Sequence, residues 1–221
     1  MSAGAFSSTL LADICQEELK NILSVAESRT ILRKEMLVTR GDAAEHLFLL
    51  RSGQVRYFRP TKRGDEIVLC LLTSGDTFGL GSFLKHPPPY IGSAEALSDG
   101  EVLVWGHSTM RKLAAQHPQL GQNALTILLQ YLRNYAERHV GLVTKSAEER
   151  LADALLILQH QQGRLHNGNV ELGITNEQLG SLADISPYTT SRLLNKWQRK
   201  GTISKRRSKL LIHVPEALVT D

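Results

Sequence analysis

Cysteine is nearly missing. Cys15 and Cys70 are the only two, far apart and outside any metal-binding spacing, so no disulfide framework, zinc site or iron–sulfur cluster is supported, and both read as buried or incidental thiols. Long apolar runs are missing too, and the N-terminal stretch has no basic segment leading into an apolar core; the expectation is a cytoplasmic protein with no membrane partner. No Ser/His/Asp constellation, metal-spaced His cluster or phosphate-cradling glycine loop supports an enzyme. Finally, one sign of charge is missing from one stretch: no Asp or Glu lies between Asp184 and Glu216. The 221-residue chain carries a formal charge of only +4. Its cations gather after Arg192, which places a polyanion-binding face at one end.

That stretch is organised as two short helices. Thr175 is an N-cap with Gln178 three residues on, a capping box, and Leu179, Leu182 and Ala183 form the apolar stripe. Asp184 and Ile185 fill a tight turn. Ser186 caps the next helix, Pro187 takes its first position, Leu193, Leu194 and Trp197 face inward, and Gly201 ends it. Two such helices form a helix-turn-helix, whose second helix enters the major groove. Tyr188, Thr189, Ser191 and Arg192 are its candidate base readers. Thr175, Ser186, Pro187, Lys196, Arg199, Lys200, Lys205, Arg206, Arg207 and Lys209 flank them, and the cations among these suit phosphates. A solvated hairpin with a basic face is the plain alternative, but it does not account for the agreement of caps, turn, apolar pattern and charge. Thr202–Lys205 and Lys209–Val214 read as a hairpin wing, with His213 a structural residue in the second strand.

Upstream the pattern changes twice. Residues 8–26 read as one or two short helices. From Ser28 to Trp105, Gly41, Gly53, Gly64 and Gly75 recur every eleven or twelve residues between β-forming segments, with Asp42, Asp65 and Asp76 beside them, which predicts an antiparallel sandwich or barrel. Ser108 and Thr109 are candidate caps for a short helix, and Pro118 opens a long one to Val143. Leu125, Leu128, Leu132, Tyr135, His139 and Leu142 alternate spacings of three and four along it, the seam of a two-helix coiled coil, although a single buried helix gives a similar stripe. Thr144 and Lys145 read as a hinge before a capping box at Ser146–Glu149, which opens a helix carrying Leu151, Leu155, Leu156 and Leu158. Residues 161–169 read as a polar loop and Val170–Leu172 as a short strand.

The class is therefore α+β: an N-terminal antiparallel, jelly-roll-like β-roll with flanking helices (1–117), a long dimerisation helix (118–143) and a C-terminal winged helix-turn-helix (144–221). This order, with GDAAEHLFLLRSGQVR at Gly41–Arg56, SGDTFG at Ser74–Gly79 and SPYTTSRLL at Ser186–Leu194, resembles the Crp/Fnr family of bacterial transcription regulators across almost the whole chain. The resemblance implies a homodimer on a two-fold operator in double-stranded DNA, often in contact with RNA polymerase. Arg192 matches the family's last recognition arginine, which commonly reads guanine, whereas Pro187 and Tyr188 stand where many members have Arg-Glu, so the half-site should differ.

The resemblance also tests effectors. Cyclic-AMP-binding relatives carry Gly-Glu-Leu and then Arg-Ser, and here those places look like Gly79, Leu80, Gly81 and Gly92, Ser93. Without Glu or Arg a buried phosphate lacks its counter-charge, which argues against cyclic AMP in the usual mode. The iron–sulfur branch needs four cysteines, and the haem branch uses Cys and His where this chain has Gly79 and Gly81, so neither cofactor is expected. His86, before three prolines, reads as a solvated loop residue rather than a metal ligand. Phe78, Gly79, Leu80, Gly81 and Ser82, with Gly92, Ser93, Tyr131 and Tyr135, remain the candidate lining of a pocket for an unknown effector. The competing readings are a cyclic-AMP receptor with a rearranged phosphate site and a non-specific DNA-packaging protein.

Overall fold

The β-forming segments segregate into two four-stranded antiparallel sheets in the computed structural model, which describes residues 8–62, 66–162, 164–166, 169–206 and 209–218. After a 3-10 turn at Thr9–Leu11 and helix α1 (Gln16–Ser24) come β1 (Glu27–Ile31), β2 (Met36–Val38), β3 (His46–Ser52), β4 (Val55–Pro60), β5 (Glu66–Leu72), β6 (Thr77–Phe78), β7 (Ser93–Ala96) and β8 (Gly100–Gly106). One sheet has the order β1-β8-β3-β6, the other β2-β7-β4-β5. Between them lies a core of Phe48, Leu50, Phe78 and Val104 from the first and Val38, Val55, Leu72 and Ala94 from the second. The Phe48 and Phe78 rings stack at 4.6 Å.

Strands β3 and β8 of the first sheet are buried on both faces. Leu47, Leu49, Leu103 and Trp105 point the other way, into a second core with Ile22 of α1, Met110 and Leu113 of α2 (His107–Gln116), and Leu120 and Ile127 of α3 (Pro118–Thr144). Strand β3 therefore reads as an unbroken apolar run rather than a clean alternation. Trp105 Nε1 donates to Ile22 O at 2.9 Å, and Asn123 Nδ2 donates to Leu10 O and Ala12 O at 2.9 and 2.8 Å, fastening the N-terminal segment to α3.

The chain divides into two compact units, one ending at Arg133 and the other starting at Asn134, inside α3. The second holds α4 (Ala147–Gln162), β9 (Arg164–His166), β10 (Asn169–Leu172), α5 (Asn176–Leu182), α6 (Pro187–Arg199), β11 (Ile203–Arg206), β12 (Lys209–Ile212) and a 3-10 turn at Pro215–Leu218. Its sheet has the order β11-β12-β10-β9. Leu151, Leu155, Leu158, Leu179, Leu194, Trp197 and Ile212 are its large buried residues. Ser146 and Glu149 form the expected capping box, Ser146 N donating to Glu149 Oε2 at 2.6 Å and Glu149 N to Ser146 Oγ at 3.3 Å.

Four expectations need correction. Helix α2 begins at His107 with the extended Gly106 as its cap, so Ser108 and Thr109 lie inside its first turn. Part of the 161–169 stretch is strand β9, because β10, already paired to β12, offers its other edge to that polar segment. His213 lies just beyond β12, exposed, with its ring on Ser204 Oγ at 3.0 Å. Cys15 is exposed and caps α1, while Cys70 is half-buried. Gly64, Asp65 and Arg207 lie outside the described residues, and of Arg206 only the backbone is described. Among the described residues no helix is long and apolar enough to cross a membrane.

Candidate nucleic-acid interface

Local chemistry builds the helix pair. Thr175 Oγ1 accepts from Gln178 N at 3.2 Å, and Gln178 Oε1 accepts from Thr175 N at 2.9 Å. Ser186 Oγ accepts from Thr189 N at 3.1 Å, and Pro187 occupies the first turn of α6. Between the helices Asp184 takes a left-handed φ of 53°, and after α6 Gly201 takes one of 73°. The two helices cross closely at Gly180, where a Cβ would lie 2.6 Å from Thr190 Oγ1 and 3.0 Å from Ile185 O. Buried Thr190 returns its hydroxyl to Ser186 O at 3.0 Å.

This leaves the other face of α6 outward. Pro187, Tyr188, Arg192, Asn195, Lys196 and Arg199 are exposed, and Thr189 and Ser191 are half-buried. A hollow on that face is lined by Arg192, Asn195, Lys196, Arg199 and Lys200. A second lies among Thr175, Glu177, Lys205 and Lys209. Arg192, with five donors in a planar fork, and Asn195, with paired donor and acceptor, are the side chains that match guanine and adenine edges.

Three of the predicted phosphate ligands have partners in the free chain, among them Lys209, whose Nζ sits 2.7 Å from Glu171 Oε1. Lys196 Nζ sits 2.8 and 2.7 Å from the Glu148 carboxylate oxygens, so phosphate must compete with that pair. Lys205 Nζ donates to Asn195 Oδ1 at 3.1 Å, tying β11 to α6, and burial pushes its pKa down. Ser186 and Thr175 use their hydroxyls as caps, which leaves their role one of shaping rather than reading. Asn195, Gly180 and Glu148 were not among the predicted residues. Asn195 was within reach of sequence reasoning, because it lies three residues after Arg192 on the same helix face.

The candidate effector segment is packed rather than open. Phe78, Ser82, Gly92 and Ser93 are buried and Gly79, Leu80 and Gly81 half-buried. Gly79 has φ 85°, and a Cβ there would meet His46 O at 2.1 Å, so its glycine is structural. Gly92 N donates to Tyr57 Oη at 3.0 Å and Arg40 N donates to Ser93 Oγ at 3.0 Å. Tyr131 Oη donates to Thr77 O at 2.9 Å. Tyr135 is exposed and stacks on His139 at 6.5 Å.

The family models agree with this division. A cyclic nucleotide-binding domain model matches residues 28–117, and a Crp-like helix-turn-helix domain model matches residues 149–220. The chain belongs to the Crp/Fnr family. Within that family it is 26% identical over 208 residues to the fumarate and nitrate reduction regulatory protein of Yersinia pestis, covering 92% of this chain and 82% of the other. It is 25% identical to the anaerobic regulatory protein of Bacillus subtilis, covering 91% and 87%. Among solved structures FixK2 from Bradyrhizobium japonicum has the same fold, with a TM-score of 0.78 at 22% identity over 88% of this chain and 96% of that one. The catabolite activator protein of Thermus thermophilus matches at 28% identity over 96% of both, with a TM-score of 0.56. This Crp/Fnr protein is thus a helix-turn-helix transcription regulator, and its relatives are regulators rather than enzymes.

Proposed function

We propose that this Crp/Fnr regulator acts in the cytoplasm as a homodimer on a two-fold DNA operator, with Tyr188, Thr189, Ser191, Arg192 and Asn195 reading bases. Arg199, Lys200, Lys205 and the wing residues Arg206 and Arg207 contact the phosphates. The observation that carries the dimer is the second apolar face of α3. Leu120, Ala124 and Ile127 fill the core of the first unit, while Leu125, Leu128, Leu132, Tyr135 and Leu142 are left between 47% and 66% exposed. His139 is exposed in the same row. An apolar stripe of this length in water favours a partner, and its three-four spacing fits a second copy of the same helix. A two-fold dimer presents two copies of α6, which matches a two-fold operator. The family resemblance adds contact with RNA polymerase to this reading.

For the β-roll, the phenol of Tyr57 takes the Gly92 N–H, and Ser93 Oγ is taken by Arg40 N. Neither Gly92 nor Ser93 offers an anionic phosphate a cation, so the roll is expected to work without cyclic AMP in the usual mode. Binding-site selection at fixed salt tests the first half: a two-fold consensus with a large specificity ratio is expected, and a flat selection would favour a packaging protein instead. Calorimetric titration with cyclic AMP tests the second, where heat of binding would restore the receptor reading.

A further inference from the structure

The last turn of a helix leaves carbonyls without intrahelical partners, and a helix often ends on a residue at positive φ. Glycine adopts that conformation most cheaply. This chain has Asp184 instead, at φ 53°, and its side chain is engaged. Arg138 Nε donates to Asp184 Oδ2 at 2.9 Å and Arg138 Nη2 to Asp184 Oδ1 at 2.8 Å, a bidentate pair in which both side chains are about three-quarters buried, at 26% and 23% exposure. The same Nη2 donates to Ser181 O at 3.0 Å. A second guanidinium completes the arrangement. Arg150 Nε donates to Ala183 O at 3.0 Å, its Nη2 to Asp184 O at 3.4 Å, and its Nη1 to Lys145 O at 2.8 Å. The Ser181 carbonyl in the last turn of α5, the Ala183 and Asp184 carbonyls after it, and that of Lys145 just past the long helix are thereby held by two cations at a helix C-terminus, the end that favours positive charge.

The placement of Arg138 gives this joint its meaning. It stands on α3 among the seam residues Tyr135, His139 and Leu142, within the same compact unit as α6. Without it, the orientation of α6 relative to the seam would rest on the backbone torsions of residues 144–146 and on the packing of α4. A guanidinium–carboxylate fork fixes both distance and plane, which a single hydrogen bond or an ammonium does not.

We propose that the Arg138–Asp184 pair, backed by Arg150, is the joint that sets the recognition helix against the dimer seam, and so fixes the half-site spacing the dimer accepts. The proposal rests on the homodimeric reading above. In such a dimer the two readers must sit about one turn of DNA, roughly 34 Å, apart, so a small freedom at each joint becomes a loss of register at the operator. Arg138 and Asp184 are positioning residues, since they need touch no base.

The test uses the full chain, the operator the parent selects, versions with the spacer one or two base pairs longer or shorter, and a single half-site. For Asp184→Gly, which keeps the turn, and for Arg138→Gln, we expect affinity for the natural operator to fall about tenfold. The preference over shifted spacers should shrink, and half-site affinity should stay within about twofold of the parent, as it would if the joint adds no base contact. Arg138→Lys should behave like Arg138→Gln, because charge without the fork does not hold the plane. Should Asp184→Gly fail to fold, Asp184→Asn replaces it, with an intermediate loss expected. Unchanged spacer preference in these variants would overturn the proposal. So would half-site affinity falling as far as full-site affinity, because the pair would then merely keep the motif folded. A parent that selects no two-fold site removes the homodimeric reading and this inference with it, whereas a parent that selects one while the variants keep its spacing removes only the inference.

Discussion

In the β-roll, three tyrosines turn their hydroxyls back onto the protein. Tyr57 Oη accepts from Gly92 N, Tyr90 Oη donates to His46 O at 3.1 Å, and Tyr131 Oη donates to Thr77 O. Burial pushes all three phenols up from their ordinary pKa, Tyr131 furthest. In the winged helix Tyr188 stands 80% exposed on α6, and Arg192, Arg199 and Lys200 are exposed around a hollow on the same helix. The phenols of the roll are turned back onto the protein, although Thr77 Oγ1 and Ser82 Oγ in the same region are buried without a partner, and on α6 Arg192, Arg199 and Lys200 face outward. Buried polar groups without partners are costly, so the phenols that bond back onto the protein mark architecture, while a face on which Arg192, Arg199 and Lys200 stay exposed marks a polyanion site.

The seam offers the largest effect. Leu128→Glu combined with Leu132→Glu puts charge into the exposed stripe of α3 without touching either core, so each unit should still fold, with melting lowered only by the loss of association. Sedimentation should report a monomer, and operator affinity should fall by about a hundredfold or more as two tethered readers become one. A dimer that survives both substitutions would place the interface elsewhere.

Arg192 and Tyr57 should respond to truncation in opposite ways. Arg192→Ala should cost about 1–3 kcal/mol of operator binding and relax choice at one base pair, with little change in stability. Tyr57→Phe should do the reverse, leaving buried Gly92 N without its acceptor at about 1–3 kcal/mol of stability while operator choice stays as in the parent. Lys205→Ala belongs with Arg192 in affecting DNA, but it should weaken all sequences alike and reduce the salt slope by about one. If selection returned the parent consensus for Arg192→Ala, the guanine assignment would be wrong.

The same contrast explains what the sequence reveals. Thr175 with Gln178, Ser186 with Pro187, and Gly201 act within a few residues of themselves, so the helix pair could be read from local pattern. Gly79 looked like the lip of a pocket because its constraint comes from His46 O, on another strand. Strand β9 is polar and owes its state to β10 rather than to its own propensity. The Arg138–Asp184 pair joins residues 46 apart, and nothing in the spacing of either reveals it. The exposed apolar stripe of α3 is legible because a helix repeats its faces. The cap of α2 was misplaced because Ser and Thr outrank Gly as caps in general, while here β8 delivers an extended Gly106 directly into the helix.

Two carboxylates sharpen the comparison most finely, because they should respond to acid in opposite senses. In the roll, burial raises the Asp76 pKa, against the opposing hydrogen bonds from Thr73 N and its hydroxyl. Between the ordinary carboxylate value and that raised one, the folded state holds a proton the unfolded state has released, so the group's contribution to stability falls as pH rises through that window. In the winged-helix unit, hydrogen bonding to Ser146, side chain first and backbone second, lowers the Glu149 pKa. Its contribution is present above the unfolded value and disappears as pH falls through the folded one. The chain's two tryptophans make the pair measurable, since Trp105 lies in the first unit and Trp197 in the second. With Trp197→Phe as background, Trp105 fluorescence melts should show Asp76→Asn gaining on its parent as pH is raised from 4 towards 7. With Trp105→Phe as background, Glu149→Gln should trail its parent by a constant margin at neutral pH, and the margin should close as the solution is acidified. Curves that move in the same direction would mean that burial at Asp76 does not outweigh its hydrogen bonds.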